Sequence, residues 1–409
     1  MSVPSGAAAS QNRSALRRAL AKPGFRRFFT ARTISQWGDT FNSVALVILV
    51  YRLTGSGLKV GATVVFEVVP VLAFGFLAGA LVDRLPRRRV MIGADVGRAL
   101  IAAGLAVSHT NLAFIYAAAF GLSALTVFFN PAAASVVPAL AGEDNVVGAN
   151  SAVWSAAVLS QIALAPAAGG LVAIADAGPA FAVNAASFAA SAALLVRLPL
   201  PARPPAEPGR RLHDVAEGLR TIRNSRFLRT LAAVQALAAL SAGATSALLV
   251  VLAERHLHID AGRFGLLLGA IGVGAGFGPL VLGRLVRDVR RPGWLFGPYL
   301  LRGAVDLTLA ATTSFPVALG ALAVYGIGTS TGNVTYNSVL QTTVPDRLRG
   351  RVFAFYDVVW QTGRLASIAA GGILADRLGI TSVYLIGATP LIGAGVLGVT
   401  QAGDATVRE

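Results

Sequence analysis

Residues 59–89 read KVGATVVFEVVPVLAFGFLAGALVDRLPRRR. The first 24 of them hold one base, Lys59, and one acid, Glu67, before a charged run opens at Asp83. As an α-helix that stretch extends about 36 Å at about 1.5 Å per residue, against a hydrocarbon core of about 30 Å. Lipid offers backbone groups no hydrogen-bond partner, so a segment of this kind crosses as a helix. The arginines at 84, 87, 88 and 89 mark the end that stays in the cytoplasm.

The pattern recurs along the chain. Of 409 residues, 55% are hydrophobic and 13% charged, with a mean hydropathy of +0.67. So few charges cannot cover a soluble surface. Twelve spans are read, at 28–51, 59–82, 89–108, 111–138, 147–174, 178–198, 228–253, 262–286, 293–312, 315–342, 350–375 and 380–400. The expected fold class is an all-α membrane protein. Gly and Pro inside spans, such as Pro70, Pro166 and Gly170, allow close packing and local bends. The opening residues carry Arg13, Arg17, Arg18 and Lys22 but no short apolar core with a cleavage site. The first span therefore reads as a retained helix, not a signal peptide.

Cysteine is absent, which excludes disulfides and thiolate metal sites. His109, His213, His256 and His258 fall in or near predicted loops, so neither a metal site nor another cofactor is expected. The net charge of +16 raises the question of nucleic acid, but the arginines gather in short gaps between apolar segments. With the N-terminus inside, cytoplasmic segments hold 26 basic residues and outer loops five: Arg52, Lys59, Arg255, Arg263 and Arg377. That asymmetry predicts a multi-pass inner-membrane protein with both termini cytoplasmic, in contact with lipid and not with nucleic acid.

The longest hydrophilic segment divides the chain into a tail (1–27), a six-helix bundle (28–198), a linker (199–227), a second six-helix bundle (228–400) and a tail (401–409). The linker opens with an extended proline-rich piece, Pro199 to Pro208. Leu212, Val215, Leu219 and Ile222 then recur at helical spacing, with Arg211, Glu217, Arg220 and Arg223 on other faces, predicting an amphipathic surface helix. The halves echo each other. Asn130 precedes Pro138 by eight residues and Asn337 precedes Pro345 by eight; Gly169-Gly170 in span 5 matches Gly371-Gly372 in span 11. Two pseudo-symmetric bundles around a midplane site are the architecture of alternating access.

Gly79-Ala-Leu-Val-Asp83-Arg84-Leu-Pro86-Arg87-Arg88-Arg89 resembles the loop 2–3 signature of the major facilitator superfamily. Gly79, Leu81, Asp83, Arg84, Arg87 and Arg88 match, while Pro86 stands where a second glycine is usual. The resemblance covers essentially the whole chain and implies the twelve-helix major facilitator fold, working as a monomer. It also implies that Asp83 sits against the positive end of span 11, near Arg351, and so latches the outward-facing state. The alternative is that 84–89 is a topology signal alone. In the second half Arg287 replaces the aspartate, so the matching latch is weakened or absent. A similar string, Gly372-Ile-Leu-Ala-Asp376-Arg377-Leu-Gly379, lies at the outer end of span 11 without a following basic cluster. It is read as coincidence plus helix packing.

In span 5, Gln161-Ile-Ala-Leu-Ala165-Pro166-Ala-Ala-Gly169-Gly170 resembles the antiporter motif G-x-x-x-G-P-x-x-G-G at Pro166, Gly169 and Gly170. Generic small-residue packing is the competing reading. Ser35-Gln36-Trp37-Gly38-Asp39, Asp95-Val-Gly-Arg98 and Val344-Pro345-Asp346 with Gly350-Arg351 look like the branch of macrolide-efflux and enterobactin-export proteins. Span 4 lacks the arginine that the family often links to proton transfer; either Arg98 on the adjacent span replaces it or the coupling differs.

Charges in mid-span are costly and are usually functional or paired. The acids are Asp39, Glu67, Asp95, Asp306 and Asp357, and the bases Arg98, Arg302 and Arg364. Asp95 with Arg98 and Arg302 with Asp306 are spaced to share a helix face, which favours structural pairing over substrate contact. Asp39 lies about 16 Å into span 1 with no base three or four positions away, and Glu67 makes a similar claim in span 2. A carboxylate at that depth is suited to taking up and giving back a proton, and a hydrogen bond to another helix is the alternative. Asp357 and Arg364, seven apart, share one face as a gate, a relay or a packed pair. Asn184, Gln235, Tyr325, Asn333, Tyr336, Asn337, Gln341 and Gln361 are candidate cavity residues, or helix–helix hydrogen bonds.

The function expected is proton-coupled efflux of a hydrophobic or amphipathic small molecule, such as a drug, antibiotic or siderophore. The alternative is a uniporter or symporter for a small nutrient, which would call for a more polar cavity. A lipid-handling membrane protein is a third reading; no nucleophile–base set supports an enzyme. The absence of a Gly-x-x-x-x-Gly-Lys nucleotide loop points to an ion gradient, not ATP, as the energy source.

Overall fold

The computed structural model describes residues 18–82, 85–142, 145–199, 220–285, 291–344 and 346–405. Among them the chain is helical nearly throughout and has no strand. The helices are α1 (Pro23–Thr54), α2 (Gly57–Val82), α3 (Arg87–Val107), α4 (Leu112–Ala141), α5 (Val146–Ala175) and α6 (Gly178–Val196). They continue as α7 (Arg226–Ala247), α8 (Leu249–Arg255), α9 (Ala261–Leu285), α10 (Pro292–Ala311), α11 (Phe315–Thr343), α12 (Asp346–Leu378) and α13 (Ile380–Ala405). Every predicted span coincides with a helix to within a few residues, span 7 being divided between α7 and α8 and span 11 being α12.

Among the described residues, nine helices are long and apolar enough to cross a membrane by length and composition. The long helices that fall short are α1, α10 and α12. These are the ones that carry Arg32 and Asp39, Arg302 and Asp306, and Asp357 and Arg364. Elsewhere large apolar side chains face outward, with Leu100 70%, Leu159 64% and Ile174 86% exposed, as a lipid-facing surface requires. Helix ends follow local chemistry. Asn111 caps α4 by accepting from the amides of Ala113 and Phe114, and Gly142, at φ +84°, ends it.

The chain packs as two compact units. One comprises Met1–Leu53, Phe66–Glu207 and Ala261–Gly265, the other Thr54–Val65, Pro208–Asp260 and Leu266–Glu409. The opening turns of α2 and of α9 therefore belong to one unit and the remainder of each helix to the other. In the first unit α3 packs against α4 and α6. A cluster of Phe25, Phe28, Met91, Phe129, Val136 and Leu195 closes one end of that unit. In the second unit α10 packs against α11 and α13, while α7 packs on α12 and α13. Phe296, Val339, Leu340, Val352 and Leu391 form part of its core. Spans 3, 4 and 6 thus make the same set of contacts as spans 9, 10 and 12, which is the internal repeat expressed as packing.

Of the predicted linker helix, Leu212, Val215 and Leu219 lie outside the described residues. Ile222 is buried in the apolar cluster of the second unit together with Leu228 and Leu231.

Candidate functional site

Four charged side chains of the first unit come from α1 and α3. Asp95 and Arg98 form a direct ion pair and neither side chain is exposed. The Ser191 hydroxyl donates to the other Asp95 oxygen at 2.7 Å. Arg98 lies between two rings, 4.4 Å from the centroids of both Phe129 and Phe188, and donates to Thr126 Oγ1 at 3.4 Å. The cation is fully enclosed by protein, and its Nε has no hydrogen-bond partner among the described residues.

Asp39 is different. It is exposed, and no ion pair within 4 Å joins it to a base among the described residues. It lies within electrostatic reach of Arg98 and Arg32. Arg32, one face-repeat earlier on α1, donates to Asn130 Oδ1 at 3.0 Å and stands 5.2 Å from the Phe129 centroid. Reading the sequence missed Arg32 as a site residue. It sits early in span 1, where an arginine resembles a topology charge, but its spacing of seven from Asp39 was a usable signal. Next to Asp39, Gly38 gives way to Asn184, whose amide oxygen would lie 2.6 Å from a Cβ at that glycine. Asn184 is fully buried, and neither of its amide atoms has a protein partner; the Ser35 hydroxyl is in the same position. Such atoms are where ordered water bridges a helix interface. Asn184 thus lies at the α1–α6 seam, the helix–helix alternative to a cavity wall. Glu67 is half-buried, and its carbonyl accepts from the Ser123 hydroxyl.

In the second unit a cavity of about 520 Å³ opens between α7, α10, α11 and α12. Its walls include the predicted Gln235, Tyr325, Asn333, Tyr336 and Asn337, with Arg302, Asp357 and Arg364. Tyr299, Thr329, Phe353, Tyr356 and Trp360 also line it and were not anticipated. Residues 353, 356, 357, 360 and 364 fall on one face of α12, so helical spacing around Asp357 and Arg364 would have found them. Gln361 does not line the cavity, and Asp306 lies behind the wall.

The expected Arg302–Asp306 ion pair is corrected by the structure. No contact within 4 Å joins them; Arg302 donates to the Tyr325 hydroxyl at 3.0 Å and lies 4.8 Å from that ring's centroid. Asp306 accepts from the Ser241 hydroxyl at 3.4 Å. A partner on another helix offers Arg302 both a hydrogen bond and a π-face, which a carboxylate one turn along the same helix does not. Tyr299 donates to Gln235 Oε1 at 3.1 Å.

Of the loop 2–3 signature, Asp83 and Arg84 lie outside the described residues, as do the surroundings of Gly79. Arg87 donates to the Ser135 carbonyl at 3.2 Å and Arg88 to the Leu198 carbonyl at 3.5 Å, so both tie the loop to its own unit. The span 5 motif packs as its small residues suggest. A Cβ on Gly169 would lie 2.9 Å from the Gly265 Cα, and one on Gly265 would lie 3.0 Å from the Pro166 Cα. Gly170 faces open space. The Gly372–Gly379 string packs closely, a Cβ on Gly372 lying 2.7 Å from the Leu58 Cα, and it does more than pack: Asp376 accepts from the backbone amides of Gly57 and Leu58 at the start of α2.

The family described as transmembrane secretion effector matches residues 15–404. The chain is 29% identical over 386 residues to the multidrug efflux pump Tap of Mycolicibacterium fortuitum, covering 88% of this chain and 91% of that protein. It is 28% identical over 400 residues to the enterobactin exporter EntS of Citrobacter koseri, covering 92% and 88%. An uncharacterized MFS-type transporter of Bacillus subtilis strain 168, YfiS, is 27% identical over 394 residues, covering 91% and 92%. Among solved structures, a bacterial homologue of the iron transporter ferroportin in an inward-facing state aligns with a TM-score of 0.74 at 15% identity. That alignment covers 93% of this chain and 98% of the other. At such identity the likeness establishes the fold alone.

Proposed function

Since the chain belongs to the transmembrane secretion effector family of major facilitator transporters, we propose that this membrane transporter exports a hydrophobic or amphipathic small molecule in exchange for protons. The observation that carries the reading is Asp39. An acid in mid-span is costly in lipid, so its exposure fits a water-filled face of α1 and supports the reading. Arg32 and Arg98 lie within electrostatic reach of it, and the unpartnered polar atoms of Ser35 and Asn184 along the same seam offer places for water to carry a proton.

The cavity of the second unit supports the substrate class. A volume of about 520 Å³ falls within the range of about 300–1,000 Å³ typical of sites for drug-sized ligands. Its aromatic walls from Tyr299, Tyr325, Phe353 and Trp360 offer apolar area, while Gln235, Asn333 and Asn337 fix orientation. The relatives named above include a multidrug efflux pump and an enterobactin exporter, which agrees with this class.

Exchange requires that proton and substrate favour different states of the carrier. Protonation of Asp39 would remove its electrostatic attraction for Arg32, and substrate binding in the cavity would favour the ionised form.

The test uses inverted membrane vesicles with a pH-sensitive dye reporting an imposed proton gradient. Macrolides, other lipophilic drugs and siderophores are added in turn, to the parent and to Asp39→Asn and Glu67→Gln. The expected result is substrate-driven proton release that Asp39→Asn abolishes. Full proton-coupled efflux in Asp39→Asn would remove Asp39 from the coupling role.

A further inference from the structure

The string Gly-x-Leu-x-Asp-Arg-Leu occurs twice, at residues 79–85 and 372–378. The first belongs to the loop 2–3 signature; the second ends α12. There the carboxylate of Asp376 is seated on the opening turn of α2. Oδ1 accepts from the Gly57 amide at 2.7 Å, and Oδ2 accepts from the Ser56 hydroxyl at 2.5 Å and from the Leu58 amide at 3.2 Å. Arg255 Nη1 lies 4.0 Å from Oδ1, and the same guanidinium donates to the Gly55 carbonyl. The first amides of a helix have no partner within it and sit at the positive end of its dipole, so a carboxylate there meets both needs at once.

Glycines bring the two helices into contact. A Cβ on Gly372 would lie 2.7 Å from the Leu58 Cα, and one on Gly61 would lie 2.8 Å from Ile368 Cγ2. Residues 54–65 accordingly belong to the unit of α12, while α2 from Phe66 onward belongs to the other. A rearrangement that moves the two units must part this seat or bend α2 at the change of unit. The first residues of the other string, 79–82, end the same helix α2, whose start receives Asp376.

We propose that Asp376, with Ser56 and Arg255, is an outer-face latch of the transport cycle, holding the start of α2 on the end of α12 until transport requires it to let go. The outer-face assignment rests on the reading that places both termini in the cytoplasm. The seat is a set of charge-assisted hydrogen bonds to fixed backbone donors, which hold geometry more firmly than an exposed ion pair.

The chain has no cysteine, so a single thiol can report the seat. Thr63 is fully buried, two turns into α2 and inside the latched segment. In right-side-out vesicles carrying Thr63→Cys, an impermeant maleimide added outside labels slowly while the latch holds. Asp376→Ala is expected to raise the labelling rate about tenfold, Arg255→Gln and Ser56→Ala several-fold each, and Arg377→Gln not at all. An unchanged rate in both Asp376→Ala and Arg255→Gln, at parental protein levels, overturns the latch. Should Asp376→Ala fail to accumulate, the double variant Ser56→Ala/Arg255→Gln carries the test with the same expectation. Acceleration seen only with reagent on the cytoplasmic side overturns the outer-face assignment. The dye assay run in parallel on the parent keeps the two readings apart: a silent parent there sinks proton-coupled efflux and leaves the labelling result to decide the latch.

Discussion

Replacing Arg98 by methionine would leave the Asp95 carboxylate buried with one neutral donor, the Ser191 hydroxyl at 2.7 Å. Breaking a buried ion pair from one side costs about 3–5 kcal/mol, because the remaining charge loses its counter-charge and gains no water. Arg98 also gives up its position between Phe129 and Phe188, 4.4 Å from each centroid, where desolvated cation–π contacts are worth about 1–2 kcal/mol apiece. Methionine recovers part of that through its own contacts with the rings. The net expectation for Arg98→Met is about 4 kcal/mol of lost stability. Asp95→Asn alone should cost about 3 kcal/mol, because it strands the guanidinium instead. The double variant removes both charges, and the introduced amide can still accept from Ser191, so it should cost no more than about 2 kcal/mol. The cycle therefore predicts a coupling of several kcal/mol, read by denaturation in mixed micelles. Additive costs in the double variant would refute the argument that the pair is held for mutual neutralisation. If the pair is structural, the double variant also keeps substrate-driven proton release at the stability it retains. A stable but silent double variant would move Asp95 and Arg98 into the coupling machinery.

Gly169→Val should destabilise the first unit by more than about 2 kcal/mol, because the added carbons meet backbone at Gly265 that cannot give way, whereas Gly170→Ala faces open space and should be neutral; thermal unfolding of the two reads the contrast. Tyr325→Phe keeps the ring but removes the 3.0 Å bond to Arg302, at a cost of about 1–3 kcal/mol, and should raise the substrate concentration for half-maximal transport several-fold with little effect on protein yield. Burial by itself would push the Asp376 carboxyl up, but the Ser56 hydroxyl, the Gly57 and Leu58 amides and Arg255 outweigh it and hold the group below the ordinary carboxylate range. Its contribution is then fully present above its ordinary value, about 3.9, and is lost only as pH falls through the lower folded-state value. Because maleimide reacts with the thiolate, the labelling rate at Thr63→Cys is divided by that of a freely exposed cysteine at the same pH; this ratio should stay flat from about pH 8 to about pH 5, and a steep rise in it between about pH 7 and about pH 5.5 would contradict this assignment.

The helices were legible because hydrophobic length is a property of each segment alone. Lipid leaves the backbone no other way to cross, and the predicted spans match α1 to α13 within a few residues. Sites were legible to the extent that both partners lie on one helix. Asp95 and Arg98, three apart, pair as their spacing implied. Arg302 and Asp306, four apart, do not, because Tyr325 on the neighbouring helix competes successfully for the guanidinium. The contacts of Asp376 went unread for the same reason in stronger form. Its partners stand more than 300 residues away at the start of α2, and nothing local to span 11 announces a helix end waiting to be capped. Arg32 was overlooked because charges near the start of a span usually report topology, and only its relation to Asp39 gives it another meaning.

The shortfall of apolar character in α1, α10 and α12 bears on how the protein is made. A helix offered to the membrane by itself pays about 2.5–3.5 kcal/mol for each charge near its centre. Asp39 emerges from the ribosome before Asn184 and Phe188, which pack beside α1 and around Arg98, and Arg302 emerges before Tyr325. The first helix of each of these groups must therefore wait at the interface, or within the insertion machinery, until its partners have been synthesised. Biogenesis would then proceed in helix groups, and a variant that delays α6 or α11 would be lost as unassembled chain before its transport could be measured.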